Sequence, residues 1–317
     1  FIYSLLFSIL AYPTSGTPFV DHHSAFFSLL GAYTLILGIK TENKIYWFLL
    51  PILFGLAFLS KQVPSSYIAL SLIIVLLIFS FVKKKTYWLK YSFLSSVFFV
   101  LFLFILGKLQ GINLSSFLEQ YLFYPQSIGA QRIESFNFTF RGVVDHFKFI
   151  YIAIIPLFFL NIKKFFFEKK YYKHNDFYYF LILFFLTFSL IFHQLLTRNQ
   201  TFIFFLIPIL FAFSHIEFNH SKTNLKNFTS LILIGVCLYA SIKYHIRFNE
   251  NRKFHELNYV NFNLSENANK IDEKFSGLKW ITPEYKDNPN EEIILIKSDF
   301  KSVLSLCPLS KTYFFLL

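Results

Sequence analysis

The sequence has no methionine, only two cysteines in 317 residues, and charged side chains at just 15% of positions. The two thiols, Cys237 inside an apolar run and Cys307 near the end, stand alone. They exclude a cysteine-built zinc site and a disulfide framework, and they leave the redox compartment open. The scarcity of charge excludes more. A soluble domain carries about 25% charged residues, whereas here 55% of the chain is hydrophobic, 22% is aromatic and Phe alone accounts for 47 residues. No water-soluble fold of this length can bury that much apolar surface, so lipid must solvate much of it. Also missing is the kind of internal repeat that marks many transporters.

What is present is a succession of apolar runs rich in Leu, Ile and Phe. They fall at about 1–12 (partial), 24–39, 45–60, 64–82, 87–107, 146–160, 178–195, 200–216 and 228–244. Several are shorter than the ~20 residues of a straight span, and flanking Tyr and Trp residues such as Tyr46, Trp47, Tyr87, Trp88, Tyr178 and Tyr179 extend them to the headgroups. One such run could be a buried core helix. Nine in succession require a bilayer, so an all-α polytopic membrane protein with about nine transmembrane segments is expected, the first of them partial. The opening FIYSLLFSILAY is too short to span alone and lacks a basic start, so it reads as the remainder of a cut helix rather than a signal peptide.

The formal net charge of +12 would point to nucleic acid in a soluble protein. Here the lysines cluster between apolar runs, where membrane topology accounts for them, and no nucleic-acid partner is expected. Alternate loops at 40–44, 83–90, 161–176 and 217–227 hold 13 lysines. The opposite loops, which include the longest one, hold only Lys61, Lys108, Arg132, Arg141 and Arg198. The first set is therefore expected on the cytoplasmic side. Asp21, Lys61, the 108–142 loop, Arg198 and everything after about 245 then face outward. Residues 246–317 are polar, with a strand-like EEIILIK (291–297) and turn-like TPEY and DNPN. The expected division is a transmembrane domain at 1–245 and a small extracytoplasmic α/β domain at 246–317.

The polar residues gather at the outward ends of the runs. In PTSGTPFVDHHSAFF (13–27), Asp21, His22 and His23 sit at the mouth of the next helix, with Ser24 as a cap for it and Asp21 near its positive end. Ordinary interfacial polarity is the plainer reading, but Asp-His-His also offers a carboxylate base or metal ligands. The letters DHHS approach the palmitoyltransferase motif, which needs Cys where this chain has Ser24, together with a Cys-rich zinc domain that is absent. In GLAFLSKQVPSSY (55–67), Lys61 and Gln62 lie between two helices. Lys61 reads as a snorkelling anchor or as a cation for a lipid phosphate. In the 108–142 loop, SSFLEQYLFY is amphipathic enough to lie along the interface. YPQSIGAQRI then supplies a turn with Arg132, whose donor fork suits phosphate or pairs with Glu134 or Glu119. Arg198 ends a later helix in HQLLTRNQ, and Asp145 and His146 enter the sixth span, where such groups should face a cavity. Cations at one membrane face can neutralise a phosphate leaving group while a carboxylate deprotonates an acceptor.

With Asp21, the basic loop KTENK, the closing GLAFLSKQVP (55–64) and RNQTFIFFLIPIL (198–210), the sequence resembles the GT-C glycosyltransferases. The likeness is greatest to the bacterial glycosyltransferase family 39-like relatives of protein O-mannosyltransferase and aminoarabinose transferase, and it covers roughly 1–215. The resemblance implies transfer of a hexosyl or pentosyl group from a polyprenyl-phosphate-linked donor to a lipid, glycan or protein acceptor. The reaction would occur at the outer face of a bacterial inner or plasma membrane, with inversion. It implies that Asp21 assists positioning, that Lys61, Gln62, Arg132 and Arg198 bind substrate or phosphate, and that His22 or His23 shapes the pocket. No cofactor is implied, with a divalent metal left open. KQVP replaces the family's commoner Lys-Gly-Pro, and the family's principal acidic residue lies on an outer loop upstream of Phe1, so the chain as given is expected to be inactive. The rival readings are a transporter or flippase, with polar groups at the midplane, and a cell-envelope polysaccharide polymerase.

Overall fold

A computed structural model describes residues 1–11, 20–134, 139–197, 203–220, 226–248, 263, 265–280 and 298. The chain divides into two compact units, Phe1–Glu250 and Asn251–Leu317. Among its described residues the regular elements of the first are all helical: α1 (Ile2–Leu10), α2 (Val20–Thr41), α3 (Lys44–Ser60), α4 (Gln62–Lys83), α5 (Tyr87–Leu109), the short α6 (Leu114–Leu118), α7 (Tyr124–Glu134), α8 (Lys148–Phe167), α9 (Asn175–Leu196), α10 (Leu206–His220) and α11 (Lys226–Phe248). Each apolar run of the sequence overlaps one of these helices. Six of them, α2, α4, α5, α8, α9 and α11, are long and apolar enough to cross a membrane. The other three runs fall short: α3 has 17 residues, α10 has 15 and α1 has nine. This is an architecture suited to a polytopic membrane bundle, in which the helix satisfies its own backbone where water is absent.

Local chemistry sets the helix ends. Asn43 caps α3 by accepting from Ile45 N–H at 3.1 Å, and Asn113 caps α6 through Ser115 N–H at 2.9 Å. Lys61 and Val63 are both extended, so α3 and the regular part of α4 meet at a tight corner spanning residues 61–63. α2 packs against α3, α4 and α9, while α10 packs against α1, α8 and α11. Closeness of α2 to α3 depends on missing side chains: a Cβ at Gly31 would meet the Phe54 ring at 2.8 Å, and one at Gly38 would meet Trp47 at 3.1 Å. The core is a single cluster running through the middle of these helices, with Trp47, Ile68, Phe205 and Phe211 fully buried. α5 contacts α3 and leaves most of its apolar side chains outside, Phe93 at 73% exposure for example. Lipid-facing surface reads this way.

Three local expectations are corrected. α2 includes Val20, so Ser24 lies within the helix rather than at its cap, and its hydroxyl donates to the Lys61 carbonyl instead. YPQSIGAQRI is not a turn but the body of α7, which follows a π-helical segment at Glu119–Phe123. The helical backbone runs on from α6 through that segment, so Pro125 sits just past a π-helical stretch where the regular hydrogen-bond ladder is already altered. Asp145 and His146 precede α8 rather than entering it. Asp145 is exposed, and the His146 ring packs on Phe147 and Phe204 at centroid distances of 4.7 and 5.5 Å.

In the second unit the described residues hold two short antiparallel strands, β1 (Glu266–Asn267) and β2 (Lys279–Trp280), with 3-10 turns at Ala268–Lys270 and Glu273–Phe275. Asp272 caps the latter turn by accepting from Lys274 N–H at 3.0 Å. The strand expected at 291–297 and the turns at 282–290 lie outside the described residues.

Candidate functional site

The α3–α4 corner builds the centre of the site. Lys61 is extended there (φ −161°, ψ 133°), with its N–H donating to Ala57 O at 3.0 Å. Its carbonyl, released from the helical ladder, accepts from the Ser24 hydroxyl at 3.0 Å and the Ser65 hydroxyl at 2.8 Å. Both serines are buried. The corner is thereby locked to α2, and the Lys61 ammonium is delivered to Asp21, with Nζ 2.6 Å from Oδ1. Asp21 stands in the first turn of α2, where the positive end of the helix dipole favours a carboxylate. The third member comes from the last turn of α9: His193 Nε2 lies 3.5 Å from the same Asp21 oxygen. His193 is 1% exposed, and the Asp21 and Lys61 side chains are 12% and 23% exposed. An acid, an ammonium and an imidazole from three separate parts of the chain thus meet in a largely dehydrated place.

His193 also lines a cavity of about 420 Å³, together with Gln62, Tyr67, Gln126 and Thr197 and the apolar Phe58. α7 and the π-helical segment before it form another wall of this cavity through Leu122, Pro125, Gly129 and Ile133. That segment is tethered to the corner in both directions. Gln62 Nε2 donates to Tyr121 O at 2.8 Å, and the Tyr121 hydroxyl reaches the carbonyls of Phe58, at 3.0 Å, and Leu59. Phe117 stacks on Tyr121 with ring centroids 5.1 Å apart. Burial raises the pKa of the Tyr121 phenol, which keeps it a donor.

No family model, curated protein or solved structure matches this chain. The site therefore rests on its own geometry.

Of the residues singled out in the sequence, Asp21 and Lys61 are brought into direct contact, and Gln62 lies on the adjoining cavity wall. His22 is buried, its ring centroid 6.2 Å from that of Phe26, and His23 is half-buried; neither lines the cavity. Arg132 belongs to α7, whose Gly129 and Ile133 do line it, but the Arg132 side chain lies outside the described atoms. Arg198 lies outside the described residues, directly after the cavity residue Thr197. Among the described residues, no group of three or more His, Cys, Asp or Glu is placed to hold a metal ion, so Asp21, His22 and His23 do not form a three-ligand set. Sequence reading passed over His193 and the Ser24–Ser65 bracket. The available signal was the polar pair His193–Gln194 interrupting an apolar run one turn before Arg198.

Proposed function

We propose that this chain is a GT-C-type membrane glycosyltransferase that moves a hexosyl or pentosyl unit from a polyprenyl-phosphate-linked donor to an acceptor hydroxyl or amine at the extracytoplasmic face. The observation that supports it is the contact of Asp21 with Lys61 and His193, where His193, alone of the three, also lines the cavity walled on its other side by α7 and the segment before it. A lipid-linked phosphate enters from the plane of the membrane, and this cavity has apolar lining for the prenyl chain and polar groups for the head. Arriving phosphate competes with Asp21 for the Lys61 ammonium. The C1–O bond to phosphate breaks, the acceptor oxygen or nitrogen bonds to C1 from the opposite side, and the acceptor proton passes to a base. Lys61 stabilises the phosphate that leaves. Asp21, once released from Lys61, orients the acceptor and is held toward the cavity by His193.

The test is release of polyprenyl phosphate from radiolabelled polyprenyl-phosphate glucose, mannose and arabinose by membranes carrying the full-length protein. Asp21→Asn and Lys61→Met are each expected to lower turnover, normalised to the amount of folded protein in the membrane, by about 10²-fold or more. Wild-type membranes that hydrolyse or transfer none of these sugars, or an Asp21→Asn protein with full turnover, would remove the proposal.

A further inference from the structure

At the far end of the same helices lies a second polar cluster that the proposed reaction does not use. Lys40 is 19 residues after Asp21 on α2, about 28 Å away at a rise of 1.5 Å per residue. Around it, α8, α9 and α10 contribute Lys164, Asp176 and Glu217, which with Lys40 line a cavity of about 510 Å³. Glu217 is fully engaged: one oxygen is 3.2 Å from Lys164 Nζ, and the other accepts from Asn161 Nδ2 at 3.2 Å. Asn161 in turn accepts from the Tyr171 hydroxyl at 2.5 Å. Burial, with Glu217, Asp176 and Glu168 nearby, raises the Tyr171 pKa, so that phenol remains protonated and donating. Asp176 differs. It is 55% exposed, and its contact with Lys164 is a loose 3.9 Å. Lys40 is exposed and makes no ion pair among the described residues. One anion and one cation are thus left facing the same opening.

The cavity continues a seam. Ile36 and Lys40 of α2 and Phe213 and Ile216 of α10 line it, and a second cavity of about 210 Å³ lies between Leu29 and Tyr33 of α2 and Pro208 and Ile209 of α10. Tyr33 stacks on Phe213 between the two, with centroids 6.3 Å apart. The α2 positions 29, 33, 36 and 40 share one helix face. From Leu29 to Lys40 the seam runs about 16 Å, half of a hydrocarbon core of about 30 Å. That is one leaflet deep, mostly apolar with Tyr3, Ser4 and Tyr33 among the lining of the inner cavity, and charged only at the Lys40 end.

We propose that this seam holds a single phospholipid of the adjacent leaflet with a zwitterionic, primary-amine headgroup, of the phosphatidylethanolamine class. An acyl chain follows α2 and α10 past Ile36 and Phe213. The phosphate meets Lys40, and the headgroup ammonium donates to Asp176. The four ionisable side chains lining the cavity sum to zero charge, so a purely anionic lipid would bring an unmatched charge toward Asp176. A choline headgroup has no N–H to donate. This inference does not depend on the transferase reading, because it concerns the opposite helix ends.

The experiment uses the full chain in detergent, with added dioleoyl phosphatidylethanolamine, phosphatidylcholine or phosphatidylglycerol. Retained lipid is counted by native mass spectrometry, and the thermal midpoint is followed in parallel. One retained phosphatidylethanolamine is expected, with an affinity about tenfold above phosphatidylcholine and a rise in midpoint to match. Asp176→Asn should erase the difference between those two lipids, and Lys40→Gln should weaken both. Free phosphoethanolamine should neither bind nor compete. Equal retention of phosphatidylethanolamine and phosphatidylcholine by the wild-type protein overturns the proposal without reference to any variant. A preference for phosphatidylglycerol overturns it too, as would competition by the free headgroup or a retained preference in Asp176→Asn.

Discussion

Breaking the Asp21–Lys61 pair tests whether the site is an electrostatic unit or a crowd of neighbours. At the 2.6 Å separation of Lys61 Nζ and Asp21 Oδ1, an effective dielectric of about 20 gives an attraction of about 6 kcal/mol. Desolvation of both groups offsets most of that, so the pair itself contributes little net stability. Removing one partner is a different matter. An orphaned charge in a fully buried pair costs about 3–5 kcal/mol. Side-chain exposures of 23% and 12% let some water reach the remaining group, which lowers the expected loss to about 2–3 kcal/mol for Asp21→Asn or Lys61→Met. The double variant Asp21→Asn/Lys61→Met leaves no charge behind and should lose less than the sum of the singles, with a coupling of about 1–3 kcal/mol. Unfolding in mixed micelles can be followed by labelling of the buried Cys237 thiol, with Cys307 replaced by serine to keep the signal single. Additivity within about 0.5 kcal/mol would refute the reasoning and leave Lys61 as a snorkelling anchor.

The other predictions concern the groups around the pair and the rest of the bundle. Ser24→Ala removes one of two hydroxyl donors to the Lys61 carbonyl and should cost about 1 kcal/mol. Ser24→Ala/Ser65→Ala should cost more than the sum, since the carbonyl then has neither; calorimetric or micellar unfolding reads both. Tyr121→Phe and Gln62→Leu cut the tether of the interfacial segment. Both should speed amide hydrogen exchange across 114–134 while the thermal midpoint of the bundle stays in place, and unchanged exchange would show that the segment is held by apolar packing alone. Ser71→Ala breaks a hydroxyl pair to Ser189 at 3.0 Å across α4 and α9, and about 0.6 kcal/mol is expected in the same unfolding assay. Asn161→Leu leaves the Tyr171 hydroxyl and a Glu217 oxygen without their partner. A loss of about 2–3 kcal/mol is expected, because buried polar groups left unsatisfied are costly.

Legibility followed the range of the interaction. Nine apolar runs could be read directly and each has its helix, because burial in lipid is a property of consecutive side chains and of the backbone between them. Boundaries were less legible. α2 takes in Val20 where the run was read from 24, since polar Asp21, His22 and His23 interrupt the apolar pattern without interrupting the helix. α7 was hidden for a related reason: Pro, Gly and Ser in YPQSIGAQRI carry turn chemistry, yet the helix runs on into them from the π-helical segment at Glu119–Phe123. The site was half-legible. Asp21 and Lys61 stood out as charges at helix ends, which membrane burial makes expensive. His193 and Ser65 did not, because each of those residue types is commonplace at its position until something is opposite it.

The amino-acid sequence alone determined that the chain is a series of apolar helices, which of its polar residues interrupt them, and where the lysines accumulate. These are local quantities: hydropathy, spacing and charge are written along the chain and need no partner. Only the tertiary structure decided that Asp21, Lys61 and His193 share one carboxylate oxygen's surroundings, that Ser24 serves the Lys61 carbonyl instead of its own helix, and that Lys40 looks across a seam to α10. Positions 21, 61 and 193 are separated by 40 and 132 residues. Their meeting depends on which helix faces pack, on glycines that let α2 approach α3, and on an extended corner at residues 61–63 that aims a side chain sideways, none of which leaves a mark in any short stretch of sequence.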